Sequence, residues 1–403
     1  TTINYKNRSI GERIMSEIRV DTIAEKTSGS GTTVSNLVNP NQPLRNLLIN
    51  GDMKIAQRTA SATTAVNGSY QTLDRWRFYD NCDGTYTTAQ TALSLADQAS
   101  TGGQTHALDI QVTGADTSIA TGQFAMVMQF VEAQNCQHLK FGTSSAVDLT
   151  LQFYVKSNLT GTTCGWISKE DSTFCQAPFE FTINSANTWE KKTVTIPSNA
   201  VVQASGSAIA NDNGVGIGVA FALALGADFD NGTNLTWETG GGSYCTSNQI
   251  NFMNSTSNDL FITGVQLEVG SGASDFEHLP IDIELERCRR YLQKITSSGS
   301  GYGHFGSGAN ANATSLMFGK QFSPVMCKTP TLATTGTAAN YSTYNPNQGV
   351  DACSSVPAIN GTGATAEQCR LEFISSGNLI SGEAAEMLSS DSVAAYLMFH
   401  ADI

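Results

Sequence analysis

The sequence predicts an all-β chain: an N-terminal extended arm, a large β-sandwich, a short linking helix and a smaller C-terminal β-sandwich. Three observations predict it. Six or more runs alternate large apolar residues with polar or small ones at a period of two, so each presents one face to a core. Charged residues are only 14% of the chain, and Gly, Ser, Thr and Asn fill most intervals, a mixture suited to short strands and tight turns. One strand–turn–helix, at 261–295, separates an earlier group of strands from a later one.

Taken in order, residues 1–43 mix both charge signs, show no convincing core and close on a Gly/Ser/Thr run followed by Asn39-Pro40. They read either as a disordered arm or as an attachment arm that orders only against a partner or its own copies. Residues 46–58 read as a strand interrupted at Asn50-Gly51-Asp52, and 70–80 as strand after a polar loop. Phe124, Met126, Met128 and Phe130 alternate with smaller residues; Val147, Leu149, Leu151, Phe153 and Val155 alternate with mostly polar ones. Each run reads as a half-buried antiparallel strand. Trp189 leads into a strand that Pro197 stops. Val215, Ile217, Val219, Phe221, Leu223 and Leu225 then alternate strictly with Gly and Ala. The large face of that strand must enter a core, while its bare face permits close approach by another backbone, sheet or subunit. This many strands with turn signals between them make a sandwich, and no repeat of 20–50 residues is visible.

In the separating stretch, Phe261, Val265, Leu267 and Val269 form one strand face, and a Gly/Ser/Asp turn follows. Pro280 stands where a helix begins, since its missing N–H costs nothing in a first turn. Ile281, Leu285, Cys288, Leu292 and Ile295 recur at spacings of four and three, the seam of a helix packed along one stripe. Acidic residues lie early and basic ones late, as the helix dipole prefers. That predicts a helix over 281–296, which docks on its own sandwich or meets copies of itself on a threefold axis. Residues 297–403 open with Gly/Ser/Asn loops and continue with strand-like runs at 314–322, 370–374 and 394–403.

Charge excludes some function classes. A net charge of −13 argues against sequence-independent nucleic-acid binding and against simple electrostatic capture of an anionic polysaccharide. The hydroxyl- and amide-rich composition suits neutral sugars, or anionic ones bridged by a divalent cation. No apolar run of about 18 residues exists, so no membrane span is predicted, and the N-terminus lacks a signal peptide's apolar run, which reads as protein made in a cytosol. The nine cysteines contain no CxxC pair, so a zinc site is not expected. Cys164 and Cys175 bracket a hairpin and either face each other across it or, with the rest, are reduced and partly buried.

The run TGVQLEVG, a small-residue turn, Phe276-Glu277, Pro280 and Cys288-Arg289-Arg290-Tyr291 resemble the hinge of phage tail-fibre and appendage proteins of the marine-phage type. Residues 46–58, 70–80 and the ending AYLMFHADI are similar to other parts of that family. The resemblance implies a carbohydrate-binding-module-like jelly roll over 44–280, a linking helix over 281–296 and a distal β-domain over 297–403. It implies a virion protein made in the host cytoplasm, a homotrimer, joined to tail or capsid proteins through residues 1–43 and contacting a host surface glycan or receptor. A capsid-bound decoration protein is the alternative within structure, and a polysaccharide depolymerase the enzymatic one.

No catalytic constellation is found: the five histidines share no motif with a nucleophile, and GxSxG, HExxH and P-loop patterns are missing. Glu170 with Asp171, or Glu383 with Glu386, are the carboxylate pairs a glycoside hydrolase would use, but solvated surface acids explain them. The expectation is no enzyme and no cofactor. Asp228 and Asp230 sit in a turn resembling a calcium loop, but its Gly comes one position early and no closing Glu follows; Asp52 and Glu268 are added only by the resemblance. Sugars are held by aromatic faces plus amide and carboxylate hydrogen bonds. Trp166, Trp237 and Tyr244 lie in polar, turn-rich contexts, and Tyr302, His304, Phe305, Tyr341 and Tyr344 in distal loops. Those distal aromatics are the preferred contact surface, because loops on a rigid scaffold carry recognition. Trp76 and Trp189 are expected in the core.

Overall fold

The computed structural model describes residues 44–297, 301–361 and 363–403; the arm expected over 1–43 lies outside the described residues. The first β-domain contains β1 (Thr63–Thr64), β2 (Ser69–Tyr70), β3 (Arg77–Asp80), β4 (Thr85–Ala92), β5 (His106–Gly114) and β6 (Phe124–Glu132). It continues with β7 (Leu149–Ser157), β8 (Gly161–Lys169), β9 (Cys175–Ile183), β10 (Glu190–Ile196), β11 (Val215–Leu225), β12 (Glu238–Thr239) and β13 (Asp259–Val269). They form a six-stranded sheet, β1-β4-β5-β13-β7-β10, and a seven-stranded sheet, β12-β9-β8-β11-β6-β3-β2. This is the jelly-roll sandwich. Its core draws Leu149, Leu151, Phe153 and Val155 from β7, Phe179 and Phe181 from β9, and Ile217, Val219, Phe221 and Leu223 from β11. The Phe153, Phe181 and Phe221 rings meet edge to face at the centre, Phe153 lying 4.9 Å from each of the others.

The second β-domain is a small sandwich. One sheet contains β14 (Leu292–Thr296), β17 (Thr331–Ala333) and β23 (Tyr396–His400). The other contains β15 (His304–Asn310), β16 (Ser315–Gln321), β18 (Tyr341–Asn345), β19 (Gly349–Ala352), β20 (Ala358–Ile359), β21 (Gln368–Ile374) and β22 (Ala384–Ser389). Phe305, Leu316, Tyr341, Leu371, Phe373, Met387, Leu397 and Phe399 fill the space between them.

Three local expectations are corrected. Residues 46–58 take no strand, because side chains rather than a ladder satisfy much of their backbone. Asn46 accepts from Leu48 N and Leu267 N, Gln129 bonds both the N–H and the C=O of Ile49, and Asn50 Oδ1 accepts from Ile55 N. This segment staples the two cores: Leu48 and Met53 enter the first, Ile49 and Ile55 the second. Next, the helix spans only Ile281–Arg289. Leu292 and Ile295 belong to β14, whose ladder to β23 pairs Leu292 with His400 and Ile295 with Leu397, so the backbone gains interstrand partners where a helix would have frayed. Ile281 is 55% exposed, Leu285 half-buried and Cys288 fully buried against the second core, so the five residues do not form one helical seam. Finally, Cys164 pairs across the β8–β9 ladder with Glu180, and Cys175 with Lys169; they do not face each other, and all nine cysteines are free.

A buried polar joint fixes the two domains to each other. Arg290 makes a bidentate bond to Glu132, at 2.6 and 2.8 Å, and the Tyr291 hydroxyl donates to the same fully buried carboxylate. Those partners hold Glu132 below the usual carboxylate range against the opposing effect of burial. The Arg75 guanidinium lies 3.4 Å above the Tyr291 ring. Asn213 donates to the Cys327 carbonyl, and Lys294 to that of Arg58.

Candidate functional site

The bare face of β11 decides where a site forms. Its inward residues are large, and its outward ones, Gly218, Ala220 and Ala222, are the smallest available. On one side β6 places Phe130, Met128 and Met126 directly opposite them, and on the other β8 places Trp166 opposite Ala220. Large residues flanking small ones on the same sheet face leave a trough. It has a volume of about 250 Å³, with Tyr79 of β3 at one wall, Phe124 to Phe130 of β6 beside it, and Trp166, Glu170 and Phe174 at the other. The 226–245 loop folds over its end and adds Phe229 and Tyr244. The rings form a connected set: Trp166–Tyr244 at 5.1 Å, Phe229–Tyr244 at 5.9 Å and Phe124–Phe229 at 5.8 Å, all edge to face.

The trough is apolar apart from Glu170 and the hydroxyls of Tyr79 and Tyr244. Glu170 accepts from the Ser168 hydroxyl at 2.5 Å. Burial raises its pKa, offset by that bond and by Lys169. Burial also raises both tyrosines, and the Glu170 charge pushes each further up, so this carboxylate is felt by both phenols. The arrangement offers flat apolar faces with three hydrogen-bonding groups at their margin. It can hold a ligand whose one side is apolar and whose rim is hydroxylated.

Trp166 and Tyr244 thus come together in one groove, Trp166 at the base of its wall and only 2% exposed, Tyr244 half-buried above it. The remaining ring candidates do not join them. Trp237 is buried against the edge of Phe141 at 5.5 Å. Phe305 and Tyr341 are core residues, the Tyr341 hydroxyl donating to the Tyr396 carbonyl at 2.7 Å, because their strands direct them between the two distal sheets. Tyr302 and His304 are exposed and Tyr344 half-buried, outside the groove. Trp189, expected in the core, is half-buried instead, its indole donating to Asp97 at 2.7 Å and Lys156 lying over its ring. Trp76 is fully buried.

The acid candidates divide as well. Both Asp171 oxygens accept backbone N–H groups, from Ser172 and Ala210, and Glu383 accepts from Asn345 and Asn347 while Glu386 stands exposed. Among the described residues no group of three or more His, Cys, Asp or Glu side chains could hold a metal ion. Asp228 is exposed and Asp230 half-buried, Asp52 pairs with Lys54 at 2.7 Å, and Glu268 accepts from both the N–H and the hydroxyl of Ser274. Sequence reasoning missed Tyr79, Phe174 and Phe229, and the outward placement of the β6 large residues. The Gly/Ala face of β11 was the signal that pointed there.

No protein-family model matches the chain, and no curated protein does. Among solved structures, the chain is similar to the enzymatically active domain of tailspike protein 4 of bacteriophage CBA120, at 12% identity and a TM-score of 0.28 over 57% of this chain and 22% of that one. It is also similar to the family 11 carbohydrate-binding module of a cellulosomal cellulase of Clostridium thermocellum, at 10% identity and a TM-score of 0.27 over 54% of this chain and 99% of the module. Likeness at this level carries no functional weight.

Proposed function

We propose that this chain is a virion structural protein, a tail-fibre or appendage subunit that contacts a host surface glycan through the groove on the seven-stranded sheet. The observation that supports the reading is the groove itself: an open trough of aromatic rings over a floor of Gly and Ala, with one carboxylate and two phenols at its margin. A pyranose has an apolar face for the rings and hydroxyls for those three groups. The virion assignment rests on the resemblance carried by 46–58, 70–80 and 261–294. Residues 1–43 would join the subunit to tail or capsid proteins, and three copies per fibre would add avidity to a weak single site.

Binding without cleavage is part of the proposal. Among the described residues Glu170 is the only carboxylate lining the groove, whereas glycoside hydrolysis uses two, about 5–10 Å apart. The test is the intact chain on a panel of surface polysaccharides, with product sizing and competition of virion adsorption. Retention of a glycan at full length, with adsorption competed by it, is the expected result. Shortened polysaccharide overturns the non-enzymatic part, and adsorption indifferent to every retained glycan overturns the attachment role.

A further inference from the structure

A second cavity lies beyond the Tyr79 wall, at the junction of the two β-domains. It has a volume of about 460 Å³ and is lined by Arg58, Tyr70 and Arg77 from the first domain and by Lys328, His400 and Asp402 from the second, among others. Three cations therefore converge on one opening in a protein of net charge −13.

Their partners are unevenly distributed. Asp402, the one acidic side chain lining the cavity among the described residues, is held by Arg58 at 2.5 Å and lies 3.7 Å from Arg75, its Oδ1 making no hydrogen bond. The Arg58 side chain is only 7% exposed, yet its Nη1 has no hydrogen-bond partner. A buried guanidinium N–H without an acceptor is costly, and such a group marks a place for one. Arg77 donates through Nε to the Gly68 carbonyl and lies over the Tyr70 and Tyr79 rings, with no carboxylate partner among the described residues. Lys328 is exposed and makes no hydrogen bond or ion pair among the described residues. His400 adds a ring whose pKa burial and Arg58 both lower.

The cavity and the groove are neighbours across β3, each lined by a different residue of that strand. Arg77 and Tyr79 are two residues apart on the outward face of that strand; Tyr79 walls the groove, and the Arg77 guanidinium sits 4.6 Å from the Tyr79 ring centre. A chain of sugars lying along the groove would run over Tyr79 and reach the cations. We infer that the cavity receives an anionic oxygen group, a uronate carboxylate or a sulfate ester, carried by the same glycan that occupies the groove. The cell-surface ligand is then acidic, against the expectation from net charge, because local charge rather than the total meets a bound substituent. This rests on the groove being the glycan site.

The test uses the intact chain and three oligosaccharide probes with a common backbone: neutral, uronate-bearing and sulfated. At low salt one acidic probe binds about tenfold more tightly than the neutral one, and the gap narrows as salt screens the exposed charges. Lys328→Glu, at an exposed position, erases the gap and leaves neutral binding as it was, whereas Tyr244→Ala weakens all three probes. Which acidic probe gains separates carboxylate from sulfate. Equal affinity for all three, with Tyr244→Ala still weakening them, overturns the anion site and spares the groove. Binding indifferent to Tyr244→Ala, or no binding of any probe, overturns both.

Discussion

The two β-domains use aromatic residues in opposite ways. In the distal domain Phe305, Tyr341, Phe373 and Phe399 all pack between sheets, while Tyr302 is exposed. In the jelly roll one set of rings, Phe179, Phe181 and Phe221 of the seven-stranded sheet with Phe153 of the facing sheet, fills the core, and a second set lines the outer face of the seven-stranded sheet. The difference lies in β11. A strand with large residues on both faces leaves no room outside, whereas a strand bare on one face lets its neighbours' side chains stand as walls. The same ring types are ballast in one domain and a surface in the other.

The largest effects should come from breaking the core side of this contrast. Tyr341→Ala removes a fully buried ring and its bond to Tyr396, and should cost about 3–5 kcal/mol in urea unfolding while leaving the groove intact. Arg290→Met leaves Glu132 buried at the joint without its guanidinium partner, though still bonded to Tyr291 and Gln134, and should cost about 3–5 kcal/mol, with the two domains melting apart rather than together. Asp74 titrates beside the joint, accepting from Gln57, whose side chain also donates to the Leu292 carbonyl of the second domain. Burial raises Asp74 to about 6 from its ordinary 3.8, so the native state keeps a proton that the unfolded chain has released. Its contribution is therefore most favourable below pH 4 and is lost as pH rises to about 6; Asp74→Asn should flatten that part of the unfolding profile. On the groove side the effect is smaller in energy and different in kind. Phe229→Ala should lower glycan affinity by about tenfold, the worth of one aromatic contact, and lower stability much less than Tyr341→Ala does.

Much of this was legible in the sequence. Period-two runs located β6, β7, β11 and β13, and the Gly/Ala alternation of β11 announced an approachable face. What the pattern did not give was which face of β6 turns inward. Both faces are apolar, and Ala125, Val127 and Val131 enter the core while Phe124, Met126 and Phe130 stand outside, a choice set by the complementary β11 beside it. Residues 46–58 misled for a different reason. Their apolar spacing is real, but it serves two cores on opposite sides of an irregular segment, with Asn46, Asn50 and Gln129 replacing a strand's ladder. The helical seam failed because Leu292 and Ile295 keep a helix-like spacing by coincidence across a helix end and a strand. Nor can local sequence show that Trp166 of β8 meets Phe229 and Tyr244 of the 226–245 loop; that takes the register of β8 on β11 and the fold of that loop.

The most direct measurement sets one wall of the groove against the exposed ring of the distal domain. Titrating a retained glycan into the intact chain, Tyr244→Ala and Tyr302→Ala should show affinity lost in the first variant and unchanged in the second. Affinity lost with Tyr302→Ala and kept with Tyr244→Ala would place recognition on the distal loops and contradict the account.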